Sequence, residues 1–144
     1  MAAGNQVIGK IVVLSGEVQS IMDNQVSQIE SGHEVHLDET VVTGPGAQIE
    51  IHFNDGTVIY QGENSIIELD EYVYNTEEPE TAKAVFEMTQ GTFRMVTGEI
   101  VEMGDEDITV ISPKATIGIR GTITVHEILA NLEKHGVEFI SMGS

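Results

Sequence analysis

The chain has 144 residues, with 24 acidic against 6 basic side chains and a formal charge of −18. That length suits one domain with a real core, while the charge argues against nucleic acid and anionic membranes, which recruit clustered Lys and Arg. The chain has no cysteine, which excludes disulfides, thiolate metal sites and thiol nucleophiles.

Apolar residues make up 40 % of the chain and there are 15 glycines. Many Val and Ile residues broken up by glycine predict short strands. Val7–Leu14 is an apolar run that ends at Ser15-Gly16. Gly16–Met22 follows, with a turn at Asp23-Asn24. Val35–Val42 is the next stretch, crosses a Leu37-Asp38-Glu39 segment and ends at Gly44-Pro45-Gly46. Ala47, Ile49, Ile51 and Phe53 then alternate with Gln48, Glu50 and His52, the pattern of a half-buried strand. Asn54-Asp55-Gly56 separates it from Thr57–Tyr60, and Asp-Gly between two such runs marks a hairpin whose turn needs positive φ. Ser65–Leu69 is another strand, and residues 75–81 (NTEEPET) read as an exposed polar loop.

Lys83–Met88 and Thr92–Val96 are the next strands. Glu99–Met103 follows a Thr97-Gly98 turn. Ile108–Ile111 and Ala115–Ile119 flank Ser112-Pro113, and Thr122–Val125 comes after Gly121. His126–Gly136 places Ile128, Leu129 and Leu132 on one helical face, with Gly136 as a stop. A short helix is expected there, with a strand running into a loop as the alternative. Val137–Met142 looks like the start of a further strand, as if the sequence continued in a longer protein. About a dozen short strands at spacings of about 8–12 residues predict an all-β domain, either a solenoid-like or a sandwich arrangement. No run reaches the ~20 apolar residues of a membrane helix. The first ten residues lack the basic and apolar regions of a signal peptide. Removal of a leader, export without one and an intracellular location all remain open.

The most distinctive segment is Ser112-Pro113-Lys114-Ala115-Thr116-Ile117-Gly118-Ile119-Arg120-Gly121-Thr122. It resembles the signature of the FecR-like domain of bacterial cell-envelope proteins, in which a Thr/Ser-Pro turn leads into a strand of the form A-x-x-G-x-R-G-T. Gly32–Thr43, Ala47–Ile59 (with Asp55 and Gly56 in its D-G-T turn) and Gln90–Arg94 are similar to three further stretches of that family. The order holds from about Val7 to Val125. The resemblance implies a single all-β module over residues 1–144, periplasmic or extracellular, that works by binding rather than catalysis. In signalling members the module lies between an anti-sigma segment with a membrane helix and a small domain that meets an outer-membrane transporter. This chain has neither a membrane helix nor a helical N-terminal segment. The same module occurs near the N-terminus of large type I secreted adhesins, where a retention or spacer role is the alternative.

Independent of the family, Pro113 ends a strand and fixes φ at a corner. Ala115, Ile117 and Ile119 share one face, and Thr116, Gly118 and Arg120 the other. Gly118 and Gly121 permit close backbone approach or a bulge, and Arg120 is expected to pair with a carboxylate.

The sequence carries no G-x-S-x-G elbow, P-loop or dinucleotide glycine pattern. His33-Glu34-Val35-His36 is the best transition-metal candidate. In a strand, however, this spacing sends the two rings to opposite faces, so surface histidines are the preferred reading. Gly104-Asp105-Glu106-Asp107 and Glu77-Glu78 are the calcium candidates, and neither carries a calcium-loop pattern. No cofactor or metal is therefore expected. Tyr60, Tyr72 and Tyr74 are read as packing residues before a binding patch. The expected partner is a protein or a neighbouring domain met at a sheet edge or an acidic face.

Overall fold

The computed structural model describes residues 6–98, 100, 108–119, 123–129 and 132–137. Thirteen strands follow in order: β1 (Val7–Ser15), β2 (Val18–Met22), β3 (Gln25–Gln28), β4 (Glu34–His36), β5 (Thr40–Thr43), β6 (Gln48–Phe53), β7 (Val58–Gln61), β8 (Ile66–Val73), β9 (Lys83–Val96), β10 (Ile108–Ser112), β11 (Ala115–Ile119), β12 (Ile123–Leu129) and β13 (Leu132–Val137). A 3-10 turn, Pro79–Thr81, sits in the exposed acidic loop before β9. The protein is all-β.

The expected sandwich-like packing is made by one curled sheet with two facing layers. All thirteen strands belong to one sheet that folds back on itself through β9. The first part of this long strand pairs with β8 and β10, and the second part with β7 and β12. Layer A runs β4-β1-β6-β7-β9-β12-β13, and layer B runs β3-β2-β5-β8-β9-β10-β11. Pairing is antiparallel except between β9 and β10. Lys83–Met88 and Thr92–Val96 thus form one strand instead of two. The corner is Gly91, at φ 105°. A Cβ there would lie 2.3 Å from the Ser65 Cβ, so only glycine lets β9 pass from one layer to the other.

Alternation turns the apolar side chains inward between the layers. Ile8, Ile11, Ile49, Ile51, Ile59 and Met95 meet Val41, Ile67, Leu69, Phe86, Met88 and Val110 in one core. Phe53 of layer A packs against Tyr72 and Phe86 of layer B, with ring centroids 5.7 and 5.1 Å apart. Gln61 is a buried polar peg: its Nε2 donates to the Val41 carbonyl at 3.2 Å and the Ser65 carbonyl at 3.0 Å. A buried amide placed this way fixes the register of the two layers, because a slip would strand its donors.

Val35–Val42 is two strands, because Asp38 adopts φ 69° and breaks the run between β4 and β5. One further expectation is corrected. The helix over His126–Gly136 is instead the β12–β13 hairpin, with Leu129 opposite Leu132 and His126 opposite His135. Ile128, Leu129 and Leu132 fit helical spacing, but the pairing of β12 with the exposed flank of β9 overrides it. Of Glu99–Met103 only Ile100 is described, and Val137–Met142 lies beyond the described residues except for Val137.

Candidate interaction surface

The signature segment forms the far end of layer B. β10 ends at Ser112, Pro113 and Lys114 make an exposed turn, and β11 returns in unbroken register from Ala115 opposite Ser112 to Ile119 opposite Ile108. Gly118 stands opposite Thr109 with no register shift, so it makes no bulge. Ala115 and Ile117 are half-buried and Ile119 is buried, while Thr116 and Gly118 face solvent. Arg120, Gly121 and Thr122 lie outside the described residues. Among the described residues β11 pairs only with β10, so its other side is an open edge. No ionisable side chain lies within Ala115–Ile119.

Beside this turn is a cleft of about 640 Å³, bounded by Pro113, Lys114, Gly91, Ile128, Leu129 and Glu133. Its wall is the β12–β13 hairpin, which buries polar groups beside Ile123 and Ile128 and leaves other apolar residues outside. Thr124, His126 and Glu133 face inward, while Val125, Leu129 and Leu132 are 41, 48 and 47 % exposed. The inward groups satisfy one another in a chain. The Ser112 hydroxyl donates to Glu133 Oε1, which lies 3.2 Å from His135 Nε2. His135 Nδ1 lies 2.7 Å from His126 Nδ1, and His126 Nε2 lies 3.0 Å from Thr124 Oγ1. One of the facing Nδ1 atoms must carry a hydrogen and the other must not. Burial, with the neighbouring His135 second, lowers the His126 pKa to about 4. Burial works against the Glu133 charge. The Ser112 hydroxyl, the His135 ring and the Lys114 backbone N–H outweigh it and hold its pKa below the ordinary value. The Ser112 hydroxyl meets the Glu133 carboxylate and the histidine lies beyond it, an order that differs from the Ser-His-Asp arrangement, in which the histidine contacts the serine.

Two more carboxylates are buried for structural reasons. Asp55, 1 % exposed, accepts from the Tyr72 hydroxyl at 2.6 Å, the Thr57 hydroxyl at 2.7 Å and the Ile100 N–H at 3.1 Å. It thereby ties the Asn54-Asp55-Gly56 turn, where Gly56 adopts φ 93°, to β8 and to the segment after β9. Burial and the Asp55 carboxylate push the Tyr72 phenol up. Glu39, also 1 % exposed, accepts from the Ser20 hydroxyl and the His36 backbone N–H, and its Oε2 lies 2.7 Å from His33 Nε2. The His36 ring lies 3.4 Å from the other oxygen. His33 and His36 therefore converge on one carboxylate instead of pointing to opposite faces. His33 precedes β4, so strand alternation does not govern it.

Among the described residues no group of three or more His, Asp or Glu could hold a metal. Glu77 and Glu78 stay exposed in the loop, and Gly104–Asp107 lies outside the described residues. The three tyrosines do not form one patch. Tyr72 is in the core, Tyr74 packs against its margin, and Tyr60 lies on the outer face of layer A beneath Arg94. The signal that sequence reading lacked was pairing: nothing in the spacing of Ser112, Glu133, His135 and His126 places them in one network.

A family model described as FecR protein matches residues 39–137. The match starts well after Val7, where the motif order begins, and runs on past Val125. No curated protein matches. A solved structure titled "Cell surface anchoring domain" is 35 % identical, over 49 % of this chain and 95 % of that one, with a TM-score of 0.44.

Proposed function

The chain belongs to the FecR family, and from that we propose that it is a non-catalytic binding module of the bacterial cell envelope that receives an extended segment of a partner protein or neighbouring domain along the open edge of β11. The observation that carries this reading is the edge itself. It is uncharged in a chain of −18, it ends a seven-strand layer, and it lies beside a cleft able to take a side chain of the incoming strand. Strand addition draws affinity from main-chain hydrogen bonds and specificity from such neighbouring pockets. Natural sheets guard edges they do not use with charge, proline or bulges. β4 and β13 carry Glu34 and His36, and Glu133, Lys134 and His135. β3 is uncharged as well, but its four residues are all exposed, whereas β11 alternates half-buried and exposed residues and ends on the buried Ile119.

The test is site-directed photo-crosslinking in intact cells from Thr116, with Asn75 in the exposed loop as the control position. A discrete adduct from Thr116 alone is expected. Thr116→Pro and Ile117→Pro separate edge from fold, because neighbouring N–H groups point to opposite sides of a strand. Whichever variant keeps the native circular dichroism has lost the outward donor and should lose the adduct, which for these two variants is read from a crosslinker at the exposed Gly118, since Thr116 is itself replaced in one of them. Equal adducts from Thr116 and Asn75, or none from Thr116, would remove the reading. A module acting only as a spacer would behave in the second way.

A further inference from the structure

The outer face of layer A carries a row of side chains that runs straight across five strands. Val13 stands opposite Glu50, Glu50 opposite Tyr60, Tyr60 opposite Arg94, and Arg94 opposite Val125. Val13 and Val125 are 47 and 41 % exposed. Arg94 Cζ sits 5.3 Å from the Tyr60 ring centroid, and the row borders a groove of about 490 Å³. Read across the sheet, the row is apolar, acidic, aromatic, basic, apolar. A two-fold axis parallel to the strands through Tyr60 superposes Arg94 of one copy on Glu50 of the other, and Val13 on Val125. An axis along the row would place Glu50 on Glu50 and is excluded by repulsion.

The charge distribution singles out the same face. Lys10, Arg94 and Lys134 lie on it, opposite Glu34 and His52, Tyr60, and Glu127 respectively, so that its three bases answer Glu34, Glu50 and Glu127. The outer side of layer B carries Glu68, Asp70, Glu71 and Glu87 against Lys83. Two molecules of charge −18 repel everywhere except where the local charge is balanced.

We propose that the outer face of layer A is a two-fold interface between two copies of this chain, centred on Tyr60, with Glu50 and Arg94 exchanging ion pairs across it. Two such faces stack about 10 Å apart, and five strands at about 4.8 Å spacing give a face roughly 20 Å wide. That falls at or below the ~800 Å² per partner of a standard interface, so the dimer is weak. Tyr and Arg at its centre are the residue types that dominate interface energies. Because whole-molecule repulsion acts over a Debye length of ~30 Å at 0.01 M salt and ~8 Å at 0.15 M, added salt strengthens association while the close ion pairs are screened less. The interface uses the opposite layer from the β11 edge, and the failure of either leaves the other standing.

Sedimentation equilibrium on the whole chain, up to roughly 0.5 mM at about 0.02 and 0.15 M salt, tests it. A monomer–dimer equilibrium that tightens with salt is expected. Glu50→Arg or Arg94→Glu should each weaken it about tenfold or more, and the double variant E50R/R94E should restore it to within about threefold. Should Arg94→Glu lose its native circular dichroism, Val125→Asp and Glu50→Arg decide, and both must weaken the dimer. A monomer under all conditions, or a dimer that tolerates the single changes, or a folded double variant that stays monomeric, would overturn the proposal.

Discussion

Acidification should unlock the β12–β13 hairpin through His126. This ring is 1 % exposed and its pKa is lowered from the ordinary 6.5 to about 4. The folded state therefore binds this proton more weakly than the unfolded state. The stability tied to the neutral ring is present above about pH 6.5, is lost as pH falls from there, and is gone below about pH 4. At 1.36 kcal/mol per pKa unit, a depression from 6.5 to about 4 corresponds to about 3 kcal/mol. Structurally, a charged His126 would face His135 at 2.7 Å with no carboxylate of its own, since Glu133 contacts the far nitrogen of His135. The assay is urea denaturation followed by circular dichroism between about pH 7.5 and 4.5, on the wild type and on His126→Gln. The wild type should lose about 2–3 kcal/mol more than the variant over that range. Parallel curves would refute the reasoning, because the variant cannot titrate at this position.

Asp70 should act in the opposite sense. Burial, the charges of Glu87 and Glu68, a hydrogen bond with Glu87 and the charge of Asp38 raise its pKa to about 6, so its charged form weakens the fold above that pH and protonation relieves it as pH falls through 6. Asp70→Asn should then raise the urea midpoint at pH 7.5 by an amount worth about 0.5–1 kcal/mol, after discounting for its partial exposure to solvent, and the gain should fade near pH 5. Asp55→Ala leaves the Tyr72 and Thr57 hydroxyls and the Ile100 N–H without their acceptor, and should cost about 3 kcal/mol in the same assay. Gly91→Ala should cost more than about 3 kcal/mol, or prevent folding, because positive φ adds to overlap with Ser65. Gly32→Ala, at φ 95° with open space around it, should cost only about 1–2 kcal/mol. Equal effects at the two glycines would show that β9 has no tight corner.

The local grammar of the fold was legible in the sequence. Alternation from Ala47 to Phe53 and the Asn54-Asp55-Gly56 turn gave β6 and β7, and the family signature marked the β10–β11 hairpin. Continuity was less legible. Gly91 looks like an interruption between two strands, because a glycine corner and a turn have the same local chemistry, and only pairing with both layers shows that β9 persists. His126–Gly136 misled for a different reason. Both of its sides mix apolar and polar residues, with Ile128 buried beside His126 and Leu129 exposed beside Glu127, so the alternation that normally orients a strand was blurred and the helical spacing of Ile128 and Leu132 stood out instead. Asp55 was visible as a turn residue, but its partners Tyr72 and Ile100 are distant in sequence. The convergence of His33 and His36 on Glu39 was hidden because His33 lies outside the strand. The self-complementary row on layer A has one residue from each of five strands, so it has no local trace at all.

Amide hydrogen exchange across residues 115–119 tests the central claim most directly, first on the isolated chain and then after incubation with the native cell-envelope fraction. Alternate amides of β11 should exchange quickly in the isolated chain, since every second N–H faces the open edge. In the presence of the envelope fraction those same amides should become protected, with Thr116→Pro or Ile117→Pro abolishing the change. Protection that appears elsewhere while β11 stays open would contradict the account.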